Sequence, residues 1–387
     1  MPCRAQELQT IRQFLFFSLA QSIDRIWLKE LKGGCFMLIE KMPILEAHVK
    51  KLIETGWAKD VCICIGNKET ELYRHFRSSR GDVLTGKTYY DMMSVSKILA
   101  VSPIFHIAME EGKISPDDTL GMYIPEAPDD KKDIPLWMLL THCAGIGRWF
   151  FPKFYGPDSR GEAIDWMLKR PLLYEPGSRY AYCCVNFVLL GFILERIYNK
   201  PLDLLFDDMI ARPLGMKNSG FLCREDVDLV RTTKSEYNGS NKCADPLCRR
   251  LHGVAGNAGV FSNLDDMSIF GRSLLNKHAT LMKEETFNIA AKDYLPELSM
   301  GRGLGYVYAD ERYPQGGTLL SKGSLGHTGW SGTSVFADYE KELYVVMLTN
   351  TAWCAGQDGR NIPESCAQTR AELHSAICED LKSLNII

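Results

Sequence analysis

The segment from Tyr89 to Gly112 constrains the fold of this chain more than any other, because a short polar start leads into a long apolar run. After Ser94, apolar residues recur at helical spacing as far as Gly112, so the sequence predicts a buried helix that begins at Ser94. These apolar positions are Ile98, Val101, Ile104, Ile107 and Ala108. Lys97 follows Ser94 by three residues, and residues at that spacing share one face of a helix.

The segment Ser94-Val95-Ser96-Lys97 has the composition of an activated nucleophile. It is the only Ser-x-x-Lys in the chain, and its lysine stands in an apolar run. Burial and the positive end of a helix both disfavour an ammonium group, so we predict that Lys97 is a neutral amine able to take the proton of Ser94. The alternative is a helix cap beside a solvated lysine, which is the usual interpretation of an isolated motif of this kind. The decision between them depends on partner motifs downstream.

The charge balance limits the partners of the chain. Of its 387 residues 24% are charged, the formal net charge is -3, and there is no long basic run. These values argue against nucleic acid or an anionic membrane and favour a small-molecule substrate. The hydrophobic share of 45% is that of a globular enzyme with one large domain or two closely joined ones. The oligomeric state stays open.

Thirteen cysteines without an even, compact spacing favour free thiols in a reducing compartment, so we expect a cytoplasmic protein. The segments 62–64, 183–184 and 243–248 each hold two cysteines, without the paired spacing of zinc sites. The eight histidines form no metal-binding motif. We therefore predict no metal site and no cofactor.

The N-terminus has an apolar stretch, Phe14 to Ala20, that is too short to span a bilayer and makes a poor signal peptide. We predict no membrane span. Lys32-Gly33-Gly34 can be encoded by a purine-rich ribosome-binding stretch, so we hypothesise that translation starts at Met37 and that residues 1–36 are an N-terminal extension. A mature chain that begins at Met1, measured by mass spectrometry of protein expressed from its native upstream DNA, would contradict this hypothesis.

Periodic patterns predict an α+β fold. We expect an amphipathic helix from Pro43 to Gly56, then a hairpin of two strands, Asp60 to Ile65 and Glu71 to Phe76, joined at Gly66-Asn67-Lys68. Helical periodicity then dominates four stretches: Trp137 to His142, Gly161 to Leu168, Asn186 to Tyr198 and Pro201 to Ile210. Three strands and a closing helix follow: Gly303 to Ala309, Thr333 to Tyr339, Glu342 to Thr349 and Cys366 to Leu384.

This order implies an α/β sandwich, in which an antiparallel sheet from both chain ends is flanked by the terminal helices and an all-helical domain is inserted between the strands. We expect one domain from residue 37 to 387. Residues 37–93 and 300–387 form its α/β part, and residues 94–299 its mainly helical part. Ligand-binding sites often form at boundaries between domains, so we expect the active site between these two parts.

Later motifs decide how Ser94 is interpreted. The main ones are Leu139 to Gly145 (LLTHCAG), Glu175 to Tyr182 (EPGSRYAY) and Gly326 to Gly332 (GHTGWSG). With Ser94-x-x-Lys97 ahead of them, the chain resembles the serine β-lactamase and penicillin-binding-protein superfamily, in its class C-like branch of esterases and D,D-peptidases, from about Met37 to the C-terminus. Three further segments are similar in the same order: Glu110 to Asp118, Pro213 to Met216 and the glycine-rich Gly253 to Ser262.

The resemblance implies a role for each motif. Ser94 is the acylated nucleophile, Lys97 its base or proton relay, and Tyr182 the phenol that shuttles protons to the leaving group and helps to activate water. The strand with His327, Thr328 and Gly329 lies beside the substrate. The N–H groups of Ser94 and Trp330 form the oxyanion hole.

Two positions depart from the family pattern. Tyr182-Cys183-Cys184 replaces Tyr-Ser-Asn, so a thiol at Cys184 stands where an amide would hold the substrate, and His327 replaces a lysine. We expect His327 to be cationic only in part near neutral pH and to bind a carboxylate less firmly. Both changes weaken recognition of penicillin-like or D-Ala-D-Ala substrates, although histidine does occur at this position among D,D-peptidases.

Two groups near these positions have simpler interpretations. Arg360 is a candidate to compensate for the missing lysine, but a solvated surface arginine is the simpler interpretation. The vicinal Cys183 and Cys184 read as pocket wall or core, because a better-placed nucleophile already exists at Ser94.

We therefore predict a serine acyl hydrolase that works without a cofactor through an acyl-enzyme at Ser94, acting on a small ester or amide. A D,D-peptidase or β-lactamase is the first alternative, and the lack of a signal peptide counts against it. Acyl transfer to a small alcohol or amine is the second alternative. A catalytically silent scaffold is disfavoured, because such a protein has no chemical need for Ser94, Lys97 and Tyr182 together.

Overall fold

Strands from the two ends of the chain enclose a long, mainly helical middle. The computed structural model describes residues 26–31, 34–147, 160–222, 227–230 and 243–387. The first elements are β1 (Ile26–Leu31), β2 (Gly34–Ile39), α1 (Pro43–Glu54), β3 (Asp60–Gly66), β4 (Glu71–Ser78) and β5 (Tyr89–Asp91). The middle contains α2 (Ser102–Glu110), α3 (Leu120–Tyr123), α4 (Leu136–Leu140), α5 (Arg160–Leu168), α6 (Cys184–Tyr198), α7 (Leu202–Phe206), α8 (Arg212–Leu214), β6 (Gly220–Phe221), α9 (Pro246–Arg250), β7 (Val260–Asn263), α10 (Leu264–Leu275) and α11 (Glu284–Ala290). The last elements are β8 (Val307–Ala309), β9 (Ser324–Thr328), β10 (Ser334–Asp338), β11 (Leu343–Thr349), α12 (Thr351–Asp358) and α13 (Ile362–Ser383).

A six-stranded antiparallel sheet in the order β4-β3-β11-β10-β9-β8 joins the two ends of the chain. Both faces of its central strands are covered. Along β3, Ile63 packs with α1 and α13 on one face, while its neighbours Cys62 and Cys64 join the core on the other. This period-two alternation between two buried faces explains why β3 reads as a nearly continuous apolar run. The predicted fold class and the predicted cover of terminal helices are confirmed.

The second core lies between the sheet and the middle helices. Its central helix is α6, whose residues from Val185 to Leu194 are all buried, as expected for a helix that is apolar on every side. Helix α10 lies between this core and the sheet, against β10 and β11. A small sheet of β5, β7 and β6 borders the same core and leads directly into Ser94.

The segment predicted as one helix from Ser94 to Gly112 forms three pieces: a 3₁₀ turn (Met93–Val95), a π turn (Lys97–Val101) and α2. Pro103 gives the physical reason. It has no N–H to donate to the carbonyl four residues back, and its ring crowds that carbonyl, so the turn before it widens. The Ser102 hydroxyl donates to the Lys97 carbonyl at 3.1 Å and closes the widened turn.

Two other predicted elements are shorter than expected. The strand predicted from Gly303 is confined to β8, because the residues before it form a tight turn in which the Gly303 N–H donates to the Tyr306 carbonyl at 3.1 Å. The helix predicted to run to Ile210 ends as α7 at Phe206, and a π turn (Asp207–Ala211) continues it.

The N-terminal predictions meet the structure only in part. The stretch from Phe14 to Ala20 lies outside the described residues. Within the predicted extension, β1 pairs antiparallel with β2, with Leu28 opposite Met37. The boundary at residue 37 and the division at 94 and 299 remain predictions. Among the described residues, no helix has both the length and the apolar character needed to cross a membrane.

Candidate active site

Ser94 lies between β5 and the helical segment, and its hydroxyl is the meeting point of two hydrogen bonds. Nζ of Lys97 donates to Ser94 Oγ at 3.0 Å, and the Tyr182 hydroxyl donates to the same oxygen at 2.6 Å. Lys97 is fully buried, whereas Ser94 and Tyr182 are partly exposed. The three residues predicted to carry the chemistry are thus together, on a side of the molecule that a substrate can reach.

The backbone before Ser94 has an uncommon conformation. Met93 has a φ of 50°, in the left-handed region that residues other than glycine rarely adopt. The Met93 N–H donates to Oδ1 of Asp91 at 2.8 Å, and Oδ2 of Asp91 accepts from the Ala244 N–H at 2.7 Å. Burial raises the pKa of Asp91 to about 6, against the lowering effect of these N–H donors. The hydrogen bonds of Asp91 therefore stabilise the strained turn at Met93, and this turn positions Ser94.

Lys97 has more partners than the sequence indicated. Besides Ser94, its Nζ donates to the carbonyl of Asn257 at 2.8 Å and lies 3.8 Å from the Cys184 sulfur. Burial favours the neutral amine, but the ionisable groups of Cys184 and Tyr182 beside it raise the pKa of Lys97 above its ordinary value. The prediction of a neutral Lys97 is therefore wrong. The raised pKa indicates an ammonium group beside Ser94 Oγ, where a positive charge favours negative charge on that oxygen.

Tyr182 completes the group as a neutral phenol. Burial raises its pKa to about 12, although the neighbouring Lys97 favours the phenolate. The ring of His142 packs against the Tyr182 ring at an interplanar angle of 42°, with centroids 4.4 Å apart, and Nδ1 of His142 accepts from the Cys183 N–H at 3.2 Å. His142 is buried, and burial, with Arg302 and Lys97 nearby, places its pKa well below the usual range. The motif that contains His142 was recognised in the sequence, but this contact was not.

The glycine-rich segment reaches Lys97 because one glycine permits a close approach. A Cβ on Gly256 would collide with the carbonyl of Phe187 in α6 and lie 3.0 Å from Cγ2 of Val101. Without that side chain the segment lies directly against both helical elements, which brings the Asn257 carbonyl to Lys97. Nδ2 of Asn257 donates to Oδ1 of Asp245 at 2.9 Å and fixes the same peptide. No role for Asn257 was predicted from the sequence.

The end of β9 packs on the residues that precede Ser94. A Cβ on Gly329 would lie 2.7 Å from the carbonyl oxygen of Met92, and the Thr333 hydroxyl donates to that oxygen at 3.3 Å. Trp330, in the turn between β9 and β10, is 40% exposed, and its backbone N–H donates to no group within the described part of the chain. This position is compatible with the predicted oxyanion role of Trp330, which remains a prediction.

Helix α13 holds this turn from the opposite side. Arg370 is buried and donates to the carbonyls of Gly329 and, at 3.3 Å, Thr333. The Cys366 thiol donates to the Trp330 carbonyl at 3.3 Å. Neither residue was predicted to contact the site; for Arg370 the reason is that an arginine in an amphipathic helix has the pattern of a solvated charge.

The two departures from the family pattern have clear positions. Nδ1 of His327 donates to the Thr328 carbonyl at 2.8 Å, which leaves Nε2 as an acceptor without a partner in the described structure. Burial, together with Arg302 and Lys97, places the pKa of His327 well below its usual range, so the expected partial charge is wrong and His327 is neutral. Cys184 is partly exposed beside Lys97 and forms pocket wall.

The neighbouring Cys183 and the distant Arg360 have other environments. Cys183 is buried, and its thiol donates to the Gly147 carbonyl at 3.1 Å, so it belongs to the core. Arg360 pairs with Asp358 at 2.6 Å and stacks on Trp57 at 4.2 Å. Its charge is therefore engaged in an ion pair outside the site, and it is half-buried rather than fully solvated.

Arg302 and Tyr180 join the site without having been predicted. The guanidinium of Arg302 donates to the Tyr180 hydroxyl and lies 5.0 Å from the Tyr180 ring centroid and 5.9 Å from that of Tyr182. Tyr180 and Tyr182 are two residues apart, and both rings lie near His142, with centroid distances of 6.3 and 4.4 Å. That spacing was the only sequence signal for Tyr180.

Other cavities offer less chemistry. A cleft of about 550 Å³ lies between the loop near Pro128 and the end of α5, and another of about 410 Å³ lies beside Thr88. Neither is lined by Ser94, Lys97 or Tyr182. Among the residues that the structure describes, no group of three or more histidine, cysteine or acidic side chains is placed to hold a metal ion.

Comparison with known proteins gives a consistent picture. The family model described as beta-lactamase matches residues 45–359 of the chain. A protein of Escherichia coli (strain K12) is 29% identical over 359 residues, which cover 81% of this chain and 82% of that protein. Its name assigns it, provisionally, as a D-alanyl-D-alanine carboxypeptidase.

Solved structures share the fold. EstCE1, described as a hydrolase with promiscuous acyltransferase activity, has a TM-score of 0.67 and 22% identity, covering 85% of this chain and 97% of that one. The octameric penicillin-binding protein homologue of Pyrococcus abyssi has a TM-score of 0.64 and 19% identity, covering 83% of this chain and 78% of that one.

Proposed function

Since this chain belongs to the beta-lactamase family and is a serine hydrolase of that superfamily, we propose that it transfers the acyl group of a small ester or amide to Ser94 and then to water. The observation that carries the proposal is the convergence of Lys97 and Tyr182 on Ser94 Oγ, at 3.0 and 2.6 Å. Two donors on one hydroxyl stabilise the alkoxide character that develops as it attacks a carbonyl.

The protonation states define the order of events. With Lys97 an ammonium and Tyr182 a phenol, neither group can accept the Ser94 proton, so the pair must first lose one proton. Once it has done so, Ser94 attacks the acyl carbon, its proton passes to the Lys97–Tyr182 pair, and the pair returns that proton to the leaving group as the bond to the acyl carbon breaks. Water then repeats the sequence on the acyl-enzyme and releases the acid.

The departures at Cys184 and His327 support an ester rather than a β-lactam or a D,D-peptide. A thiol makes only weak hydrogen bonds, and a neutral imidazole offers no charge for the carboxylate of those substrates. The D,D-carboxypeptidase function named for the Escherichia coli relative is the second candidate. Acyl transfer to an alcohol or amine is a third, because an acyl-enzyme accepts any nucleophile that reaches it, and EstCE1 is described with that activity.

Covalent labelling tests the proposal directly. Intact-protein mass spectrometry after exposure to a fluorophosphonate, an activated ester and a β-lactam is expected to show one adduct, which peptide mapping places on Ser94. Ser94→Ala should abolish the adduct. Ser96→Ala is the matched control, because that hydroxyl accepts a hydrogen bond from the Val260 N–H at 3.1 Å and should not be acylated. An adduct on Cys183 or Cys184 would overturn the assignment.

A further inference from the structure

Arg302 is a buried cation whose charge the described protein does not balance. It is 4% exposed, and one of its terminal nitrogens donates to the Tyr180 hydroxyl. Its Nε and Nη1 have no hydrogen-bond partner within the described structure, and no carboxylate there pairs with it. Buried charges are normally paired and hydrogen-bonded, because desolvation of an unpaired ion is costly.

Arg312 shows how this protein treats a structural arginine in the same region. Its guanidinium pairs with both Asp293 and Asp310 and also donates to the carbonyls of Leu295 and Leu298. The two arginines are ten residues apart, yet Arg312 has its donors occupied by protein groups and Arg302 does not. The difference indicates that the missing partner of Arg302 comes from outside the chain.

The backbone holds Arg302 in place for such a partner. Its N–H donates to Oδ1 of Asp293 at 3.0 Å, its carbonyl accepts from the Tyr294 N–H at 2.8 Å, and its peptide is bridged to Val307 at the start of β8. The carboxylate of Asp293 is occupied by this N–H and by Arg312, so it is not free to neutralise the Arg302 guanidinium.

Apart from the Asp293 carboxylate, which pairs with Arg312, the groups that surround Arg302 in the pocket carry positive charge or none. His142 and His327 are kept neutral by burial and by Arg302 itself, and Lys97 contributes a second cation, 5.1 Å from the centroid of the Tyr182 ring. Tyr180 is partly exposed; its oxygen accepts from Arg302, so its own O–H remains a donor for a bound group.

We propose that Arg302 and Tyr180 form a subsite that binds a carboxylate carried by the acyl substrate, so that the enzyme prefers an anionic ester to its neutral analogue. This inference rests on the proposed acyl hydrolase function. The guanidinium and the phenol O–H supply charge-assisted hydrogen bonds to the carboxylate, and the anion completes the charge balance that the protein lacks. The carboxylate lies beside the Tyr182 ring, away from the β9 position where relatives have a lysine.

Matched ester pairs test the preference and locate the carboxylate. The first pair, p-nitrophenyl hydrogen glutarate and its neutral methyl ester, places the charge on the acyl side. The second pair, 3-(butanoyloxy)benzoate and phenyl butanoate, places it on the leaving group. In one of the two pairs kcat/KM should be about a hundredfold higher for the anion, mainly through KM. Equal kcat/KM within both pairs would overturn the subsite.

Variants of Arg302 and Tyr180 distinguish two roles for Arg302, binding of the substrate carboxylate and support of the Tyr182 ring. Arg302→Met should lower kcat/KM about a hundredfold for the preferred anion and by a much smaller factor for its neutral partner, while Arg302→Lys should keep part of the preference. Tyr180→Phe should weaken the preference in the same direction without removing the ring. An equal loss for both esters in Arg302→Met would show that Arg302 only supports Tyr182, and would overturn the proposal.

Thermal unfolding distinguishes an arginine that binds substrate from one that stabilises the fold. Arg302→Met removes an unpaired buried charge, so its Tm without ligand should equal or exceed that of the wild type. The control Arg312→Met breaks a paired cation and should lower Tm. A large drop in Tm for Arg302→Met would show that the guanidinium has a structural partner and would contradict the subsite.

A binding measurement keeps this inference separate from the proposed function. In Ser94→Ala protein, monomethyl glutarate should bind at least about tenfold more tightly than dimethyl glutarate, and Arg302→Met in the same background should abolish the difference. Anion binding without acylation of Ser94 in the wild type would refute the acyl hydrolase function alone. Acylation of Ser94 without any anion preference would refute the subsite alone.

Discussion

The two sides of the Ser94 pocket differ in how closely they keep the chemistry of the family. On the reaction side, Ser94, Lys97 and Tyr182 are all present, and both Lys97 and Tyr182 lie within hydrogen-bond distance of Ser94 Oγ. On the recognition side, a thiol and a neutral imidazole at Cys184 and His327 replace an amide and a cation. In the proposed subsite, the positive charge of that side comes instead from Arg302, on a different element.

Under the proposed function, nucleophile chemistry and substrate choice are separable in this fold. Three side chains that must exchange a proton are constrained to one arrangement, because a shift of about one ångström at a reacting group costs a large factor in rate. A charge that binds a distant part of the substrate can come from any wall of the pocket. Four measurements sharpen or break this separation.

The largest effect is expected from Ser94→Ala, which removes the reaction side alone. Turnover of p-nitrophenyl esters should fall about a million-fold, because a catalytic unit of this kind loses nearly everything with its nucleophile. Tm should stay close to that of the wild type. Substantial residual turnover that resists further purification would place the nucleophile elsewhere.

The next effect concerns Lys97 and Tyr182 as one unit. Lys97→Ala and Tyr182→Phe should each lower kcat/KM by about a thousandfold or more, and the double variant should be little worse than either single variant. Both single variants remove one donor from the same Ser94 oxygen and interrupt the same proton path. Near-wild-type rates for Tyr182→Phe, on an ester whose leaving group must be protonated, would exclude the phenol as the proton shuttle.

The pH dependence follows from the same pair. Lys97 and Tyr182 both have raised pKa values, about 12 for Tyr182, and the pair must lose one proton before Ser94 can transfer its own. Below those values the active fraction grows with pH, so kcat/KM should rise about tenfold per pH unit from pH 6 to 8. A plateau with an apparent pKa near 6.5 would point to a histidine, in conflict with the neutral His142 and His327.

Local patterns predicted the framework well. The observed ends of helix α1 and of strands β3 and β11 lie within two residues of the predicted ends. The reason is that the periodic pattern of buried residues can be seen in residues close together in the sequence. Helix α13 begins four residues earlier than predicted, since Asn361 caps it by accepting from the Glu364 N–H at 3.3 Å. That capping signal was in the sequence and was overlooked.

Properties that depend on distant neighbours could not be predicted in the same way. The spacing of Ser94 and Lys97 gave their contact, but the protonation of Lys97 depends on Cys184 and Tyr182, almost ninety residues away. Arg302 and Arg370 carry no sequence signal of burial, since only packing between separate elements removes them from water. Charge balance in the pocket is a property of the assembled fold.

The smallest effect is expected from restoring the family pattern on the recognition side. Wild-type hydrolysis of chromogenic cephalosporins should be slower than that of short p-nitrophenyl esters by orders of magnitude, because a thiol at Cys184 cannot supply the hydrogen bonds of an amide. Cys184→Asn should raise β-lactam acylation relative to ester turnover by about tenfold, provided that Lys97 keeps its contact with Ser94.

His327→Lys should add a similar factor by binding the cephalosporin carboxylate. Since His327 is already neutral, this gain should appear throughout pH 6 to 9 rather than only at alkaline pH. Both substrates are assayed on the wild type and the two variants. Cephalosporin cleavage by the wild type that matches its best ester would show that neither departure matters, and the two sides of the pocket would then not be separable in the way proposed.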